Sequence, residues 1–276
     1  MNAPTEANKG PAMQQPLPAT PELLCREEAG GVVTLRLNRP QQLNALSEEL
    51  LEALQRELTT LGGDASVRCV VIAGAGRAFC AGHDLQEMRA HRDAAYFQGL
   101  FSRCSAVMQA IRALPVPVIA RVHGIATAAG CQLVAACDLA IAADTARFAV
   151  SGINVGLFCS TPAVALSRNV SIKRAFDMLV TGSFIDAATA ADWGLINAAV
   201  PEAGLDAAIA AKVALIAAKS PAAIRHGKTL FYRQNSLPLN EAYACAGDVM
   251  ARNMMEQDAG EGIDAFLAKR QPVWRS

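Results

Sequence analysis

The chain has 276 residues, 52% of them apolar and 18% charged, with 25 basic and 25 acidic side chains and no net charge. That composition supplies a sizeable core and excludes disorder for the bulk of the chain. It gives no strong field toward nucleic acid or an acidic membrane surface, so neither is expected as a partner.

Residues 1–22 are rich in Ala, Pro, Gln and Thr, with no apolar segment and no arginine. They fit neither a signal peptide nor an Arg-rich transit peptide, and a disordered arm is expected. No uncharged apolar run approaches the length of a membrane span, so the expected location is the cytoplasm. Val32–Leu37 (VVTLRL) reads as a strand closed by Asn38-Arg39-Pro40. A helix follows with Ser47 as N-cap and Leu50, Leu51, Leu54, Leu58 and Leu61 at helical spacing. Gly62-Gly63-Asp64 stops it, and Cys69–Ala73 is a fully apolar strand.

The pattern then repeats. Phe101–Leu114 reads as a helix, Pro117–Val122 as a strand, Ala128–Ala136 as a helix of small residues, and Asp138–Ala142 and Arg147–Val150 as strands. Thr161–Val170 and Ser171–Thr181 are expected helices, and Leu195–Val200 a last strand before Pro201. From Leu205 onward only helices are expected, over 205–219, 221–232, 239–255 and 260–269. The expected organisation is an arm (1–22), an α/β core (23–204) and a helical region (205–276) whose apolar faces call for an oligomer.

The eight cysteines include no C-x-x-C pair, and most lie in apolar runs, so they read as buried free thiols. The four histidines show no ligand spacing, and no metal is expected. Gly74-Ala-Gly76 opens like a dinucleotide fingerprint, but Cys80 stands where the third glycine belongs.

Two segments carry the chemical signal, Arg77–Leu85 (RAFCAGHDL) and His123–Leu133 (HGIATAAGCQL). Each ends an apolar strand-like run and enters a helix-like run through small residues. Such junctions leave backbone N–H groups without intrahelical partners, and two converging on one point form a hole for a developing oxyanion.

These segments identify a resemblance, together with Asn38-Arg39-Pro40, Asn44-Ala45-Leu46, Cys137-Asp138, Thr181-Gly182, Ala191–Asn197 (ADWGLIN), Glu261-Gly262, Phe266 and Lys269-Arg270. In order and spacing they resemble the crotonase, or enoyl-CoA hydratase/isomerase, superfamily over about residues 25–272. The pattern of His83-Asp84, ATAAGCQ and NVGLFCSTP is similar to a subgroup lacking the usual glutamates, whose vertebrate members are mitochondrial enoyl-CoA hydratase domain-containing proteins.

The resemblance implies an α/β crotonase-like spiral core of ββα repeats, a helical C-terminal trimerisation region, and a homotrimer or a hexamer made of two trimers. It implies no permanently bound cofactor and a CoA thioester as ligand, its oxygen held by the backbone N–H groups of His83 and Ala129. It implies further that Asp84, Leu85 and Gln86 line the CoA channel and that Phe266 and Lys269 contact adenine and phosphates. Gln132 and Gly152 stand at the positions of the two glutamates that hydratases use as acid and base. A glutamine amide cannot accept water's proton at neutral pH, so conventional hydration is expected to be weak or absent.

Other residues are weighed for that chemistry. Ser160 lies where some isomerases of the family place a second acid, and it also reads as an N-cap. Cys159 reads as a pocket residue or as packing, and the His83 imidazole as a group within reach of the acyl pocket, either with an acid/base role or without one. His123 reads as structural, and Asp138 and Asp144 as turn-closing or locally paired. Decarboxylation or thioester hydrolysis fits an oxyanion hole without glutamates; the alternative is a non-catalytic acyl-CoA binder or a partner subunit of active relatives. On this reading Gln132→Glu with Gly152→Glu gains crotonyl-CoA hydration if the scaffold is still hydratase-like.

Overall fold

A computed structural model describes residues 22–275, so the expected arm lies outside the described residues except for Glu22. The fold begins with a hairpin, β1 (Leu24–Ala29) and β2 (Val32–Leu37), closed by Gly30 and Gly31 at φ 57° and 76°. Consecutive positive φ angles are what a two-residue hairpin turn requires, and glycine reaches them without strain. Alternation in β2 buries Val33, Leu35 and Leu37 on one face. The fully buried β3 (Cys69–Gly74) lies between β2 and β4 (Val118–Val122), where both of its faces are covered.

The main sheet runs β1-β2-β3-β4-β6-β9, parallel except for β1, with β6 at Leu139–Ala143 and β9 at Ala198–Val200. A second sheet joins β5 (Ile125–Thr127), β7 (Arg147–Ala149) and β8 (Ile185–Asp186). The chain crosses between sheets at sharp corners. At Gly124, φ is 59° and a side chain would meet the Arg77 carbonyl oxygen at 2.1 Å, so only glycine fits. Each passage through both sheets ends in a helix: β4 and β5 lead to α4 (Ala129–Ala136), β6 and β7 to α5 (Ser160–Leu166) and α6 (Ile172–Thr181). These are the ββα turns of the expected spiral.

Between β2 and β4 lie α1 (Glu48–Gly62), α2 (Leu85–Ala90) and α3 (Ala94–Ala113). Ser47 Oγ accepts from the Leu50 N–H at 3.3 Å, and the five leucines expected on the inner face of α1 are all buried. Helix α3 starts seven residues before the expected Phe101, because Asp93 Oδ1 accepts from the Tyr96 N–H at 2.8 Å and caps an earlier turn. Strand β1, helix α2 and the short α7 (Ala187–Asp192) are elements the apolar pattern does not mark.

Helix α8 (Leu205–Ala217) seats Leu205 and Ile209 on Cys69, Val71, Ile119 and Ile141, covering the other face of the main sheet. Helices α9 (Pro221–Gln234), α10 (Leu239–Met254) and α11 (Gln257–Leu267) complete the chain. Lys228 on α9 reaches Asp138 at 2.6 Å and the carbonyls of Ile111 and Val116 at 2.9 and 2.8 Å, while Tyr232 donates to Asp138 at 2.7 Å. The local pairing expected of Asp138 is therefore not found: it accepts from the Val118 N–H on the neighbouring strand at 2.6 Å, and its side-chain partners Lys228 and Tyr232 lie about ninety residues away on a helix that sequence spacing does not connect to it.

No single helix among the described residues is long and apolar enough to cross a membrane. All eight cysteines are free, six of them buried. Burial pushes the thiols of Cys69, Cys80, Cys104 and Cys131 up to about 12, where they stay protonated at neutral pH.

Candidate active site

The two glycine-containing junctions meet. Cys80 donates to the Ile125 carbonyl at 3.1 Å and accepts from the Thr127 N–H at 3.0 Å, so the first segment pairs with β5 just before α4 begins. Two glycines permit this approach. A side chain on Gly130 would lie 2.1 Å from the Cys80 carbonyl oxygen, and one on Gly82 would meet Ala128 Cβ at 2.9 Å.

The orientation of each amide has a local cause. Leu46 donates to the Gly82 carbonyl at 2.7 Å and accepts from the Asp84 N–H at 3.4 Å, so it spends both its backbone groups on the neighbours of His83. The N–H of His83 is left turned away from that pairing. At the other segment Ala128 takes φ 51° and ψ −120°, conformations that favour glycine, and α4 starts at Ala129. Neither the His83 nor the Ala129 N–H donates to an acceptor among the described residues. The positive end of the α4 dipole lies on the same side.

Both residues line a cavity of about 290 Å³. Leu85, Met88 and Phe101 from α2 and α3 form an apolar wall, and Ser151, Gly152, Val155 and the residues from Leu157 to Pro162 complete the lining. The described lining holds no Asp, Glu, Lys or Arg. Ser151 is tied to the hole segment by a 2.7 Å hydrogen bond between its hydroxyl and that of Thr127.

The sequence-derived candidates divide into those the cavity gathers and those it does not. His83, Ala129, Leu85, Gly152, Cys159 and Ser160 line it. Gln132 lies further along α4, buried and outside the lining, with its Oε1 unpartnered. Asp84 is occupied as the N-cap of α2, accepting from Gln86 at 3.0 Å and Glu87 at 3.3 Å, and as the partner of Arg39 at 2.9 Å. Burial would raise its pKa, but the Arg39 guanidinium and these amides hold it below the ordinary carboxylate value. Neither Asp84 nor Gln86 lines the cavity. Phe266 lines a separate hollow of about 400 Å³ with Trp274, between α9, α10 and α11, and neither it nor Lys269 lines the His83 cavity.

The side-chain chemistry narrows in the same way. Both His83 ring nitrogens are sealed from solvent and unpartnered, and the ring packs edge-on against Phe101 at 5.5 Å. Burial pushes the imidazole pKa down, only partly offset by the nearby Leu46 carbonyl, so the ring is a neutral wall in this conformation. Ser160 is not the N-cap expected of it; Cys159 occupies that position, and the Ser160 hydroxyl donates to the Phe158 carbonyl at 3.3 Å. Cys159 Sγ accepts from the Gly152 N–H at 3.3 Å. His123 is structural, with Nε2 at 2.7 Å from the Gly76 carbonyl oxygen.

Met88, Phe101, Leu157 and Phe158 are cavity residues that sequence reasoning missed. In sequence they read as ordinary apolar positions, and only the exposure of Leu157 and Phe158 separates them from core.

The enoyl-CoA hydratase/isomerase family profile matches residues 27–276. Enoyl-CoA hydratase domain-containing protein 3, mitochondrial, from Xenopus laevis is 43% identical over 255 residues, 92% of this chain and 86% of that protein. The crystal structure of its human counterpart shares 42% identity, covers 92% of this chain and all of that one, and superposes with a TM-score of 0.89. A crystal structure of an enoyl-CoA hydratase from Mycobacterium smegmatis shares 60% identity over 93% of this chain and all of that one, with a TM-score of 0.92. The mitochondrial names of such relatives, in frog, mouse and human, overturn the cytoplasmic expectation, which rested on the lack of a membrane-length apolar run and of a targeting pattern in residues 1–22.

Proposed function

Because the chain belongs to the enoyl-CoA hydratase/isomerase family, we propose that it binds an acyl-CoA and polarises the thioester carbonyl between the backbone N–H groups of His83 and Ala129. One observation carries this reading: two unengaged amides, from segments more than forty residues apart, sit on the wall of one apolar cavity. A thioester oxygen placed between them gains charge as an enolate or tetrahedral adduct forms. Each such pre-aimed donor is worth about 3 kcal/mol in the transition state.

Glutamine at 132 and glycine at 152 take the place of the paired acid and base of hydratases. Gln132 cannot accept water's proton, and no Asp or Glu among the described residues lines the cavity in its place. Hydration is weak or absent on this reading. The chemistry left to the site is that which the hole itself promotes, thioester hydrolysis or loss of CO₂ to an enolate. No Lys or Arg lines the wall to hold a second carboxylate, which favours simple acyl-CoA over malonyl-type ligands.

The same uncharged lining, with its sealed imidazole, favours a second reading: a non-catalytic acyl-CoA binder or a partner subunit of active relatives. A calorimetric titration with an acyl-CoA panel, followed by a product screen, separates the two. Binding with turnover supports the enzyme, binding without turnover or mixed trimers on co-expression supports the partner subunit, and no affinity for any CoA ester overturns both. The assembly proposed with either is a homotrimer or hexamer, which covers Phe231, Leu239, Tyr243 and Phe266 on the C-terminal helices. Light scattering reads it directly.

A further inference from the structure

Asn44 is fully buried and does not line the cavity, yet its side chain is spent on the segment that leads to His83. Its Nδ2 donates to the Ala75 and Ala78 carbonyls, each at 2.8 Å, and its Oδ1 accepts from the Arg39 N–H at 2.9 Å. Leu43 and Asn44 both adopt left-handed backbone conformations, at φ 52° and 56°, an arrangement that costs energy and is kept where surrounding bonds over-determine it. Gly74 makes room for the amide, because a side chain there would lie 2.9 Å from Asn44 Nδ2.

The same short stretch continues along the hole segment. Ala81 donates to the Leu43 carbonyl at 3.0 Å, and Leu46 brackets His83 through Gly82 and Asp84. Arg39 closes the far side, its guanidinium donating to Asp84 Oδ2 at 2.9 Å and to the Ala45 carbonyl. Residues 39–46 thus hold residues 75–84 both before and after His83.

We infer that Asn44 and Arg39 form a clamp that aims the His83 N–H into the cavity, making them positioning residues for thioester polarisation rather than ligand contacts. This rests on the thioester reading above. A small rotation of a peptide plane spoils a hydrogen bond to a developing charge far more than it changes apolar burial of an acyl chain. The clamp should therefore control polarisation more than affinity.

The test uses cinnamoyl-CoA, a conjugated thioester whose absorption moves to longer wavelength when its carbonyl is polarised. In the parent protein the bound probe is expected to shift. In Asn44→Ala and Arg39→Gln, binding is expected to stay within about threefold while the shift at saturation falls below about half. Saturation removes any effect of a reduced folded fraction on that shift. An unchanged shift in the folded variants overturns the clamp, as does a loss of affinity with a full shift in the molecules that bind. If Asn44→Ala fails to fold, Arg39→Gln decides alone by the same measure. A parent protein that binds the probe without any shift overturns the polarisation reading itself, and the clamp's role with it.

Discussion

The Gly152 N–H donates to Cys159 Sγ across 3.3 Å, folding the loop after β7 back onto the position that the proposed reading assigns to a hydratase's second glutamate. A side chain begun at Gly152 would meet the Leu157 carbonyl oxygen at 2.6 Å and Cys159 Sγ at 2.7 Å. The backbone around this glycine has closed over the space a carboxylate needs.

Restoring the glutamates is therefore not expected to restore hydration. Gln132→Glu with Gly152→Glu should show no gain in crotonyl-CoA hydration, and Gly152→Glu alone should destabilise the fold by about 1–3 kcal/mol through overpacking. Chemical denaturation and a hydration assay check both halves. A folded double variant with hydratase activity would show that the loop opens at little cost.

Ala128 stores strain at the entrance to α4, with φ 51° and ψ −120°. Ala128→Gly relieves that strain, of the order of 1–3 kcal/mol, against a backbone-entropy cost of about 0.5–1 kcal/mol. The expected outcome is a net gain in stability, read as a higher denaturation midpoint with unchanged slope. A lowered midpoint would mean that the Ala128 methyl contributes more through packing than its backbone costs.

The Lys228–Asp138 pair fastens α9 to the core, with side chains only 7% and 13% exposed. Lys228→Met leaves a carboxylate in low dielectric with only the Tyr232 hydroxyl and the Val118 N–H as partners, and should cost about 3–5 kcal/mol. Replacing both members, as Lys228→Met with Asp138→Leu, should cost less than the single change. A double variant no more stable than Lys228→Met would show that backbone bonds, rather than the stranded charge, dominate.

Glu261 straps the C-terminal segment: both its oxygens receive Arg270 and one receives the Val273 N–H, while Trp274 reaches the Ala218 carbonyl at 2.8 Å. Its pKa is held down at about 2, first by the Arg270 hydrogen bonds, against an ordinary value of 4.5. Because the folded value lies below the unfolded one, the strap's contribution is complete above about 4.5 and is lost as pH falls toward 2. Trp274 fluorescence in a Trp193→Phe background should hold its native signal from neutral pH down to that window and change within it. Glu261→Gln should weaken the strap at neutral pH, and a pH profile identical to that of the parent would remove Glu261 from this role.

How much of this was legible in sequence depended on the range of the interaction. The α1 leucines and the Ser47 cap follow from neighbours three or four residues apart, and both are present as read. Strand β1 was not legible, because LCREEA has no apolar alternation; it is a strand because the Gly30-Gly31 turn returns it to β2 as a half-exposed edge. Helix α2 is too short for periodicity and exists through the Asp84 cap.

At the site, the sequence by itself determined which residue types stand at each position: small residues at the two junctions, glutamine at 132, glycine at 152. These limit the chemistry whatever the fold does, because an amide is no base and a missing side chain holds no proton. Only the tertiary structure decided that the two junctions meet, that Asp84 is committed to a helix cap and Arg39, that the His83 ring nitrogens are sealed, and that the loop at Gly152 leaves no room for a carboxylate. Those outcomes depend on close approaches between segments distant in the chain, where a few tenths of an ångström decide whether an atom fits, and no local pattern of residues carries that information.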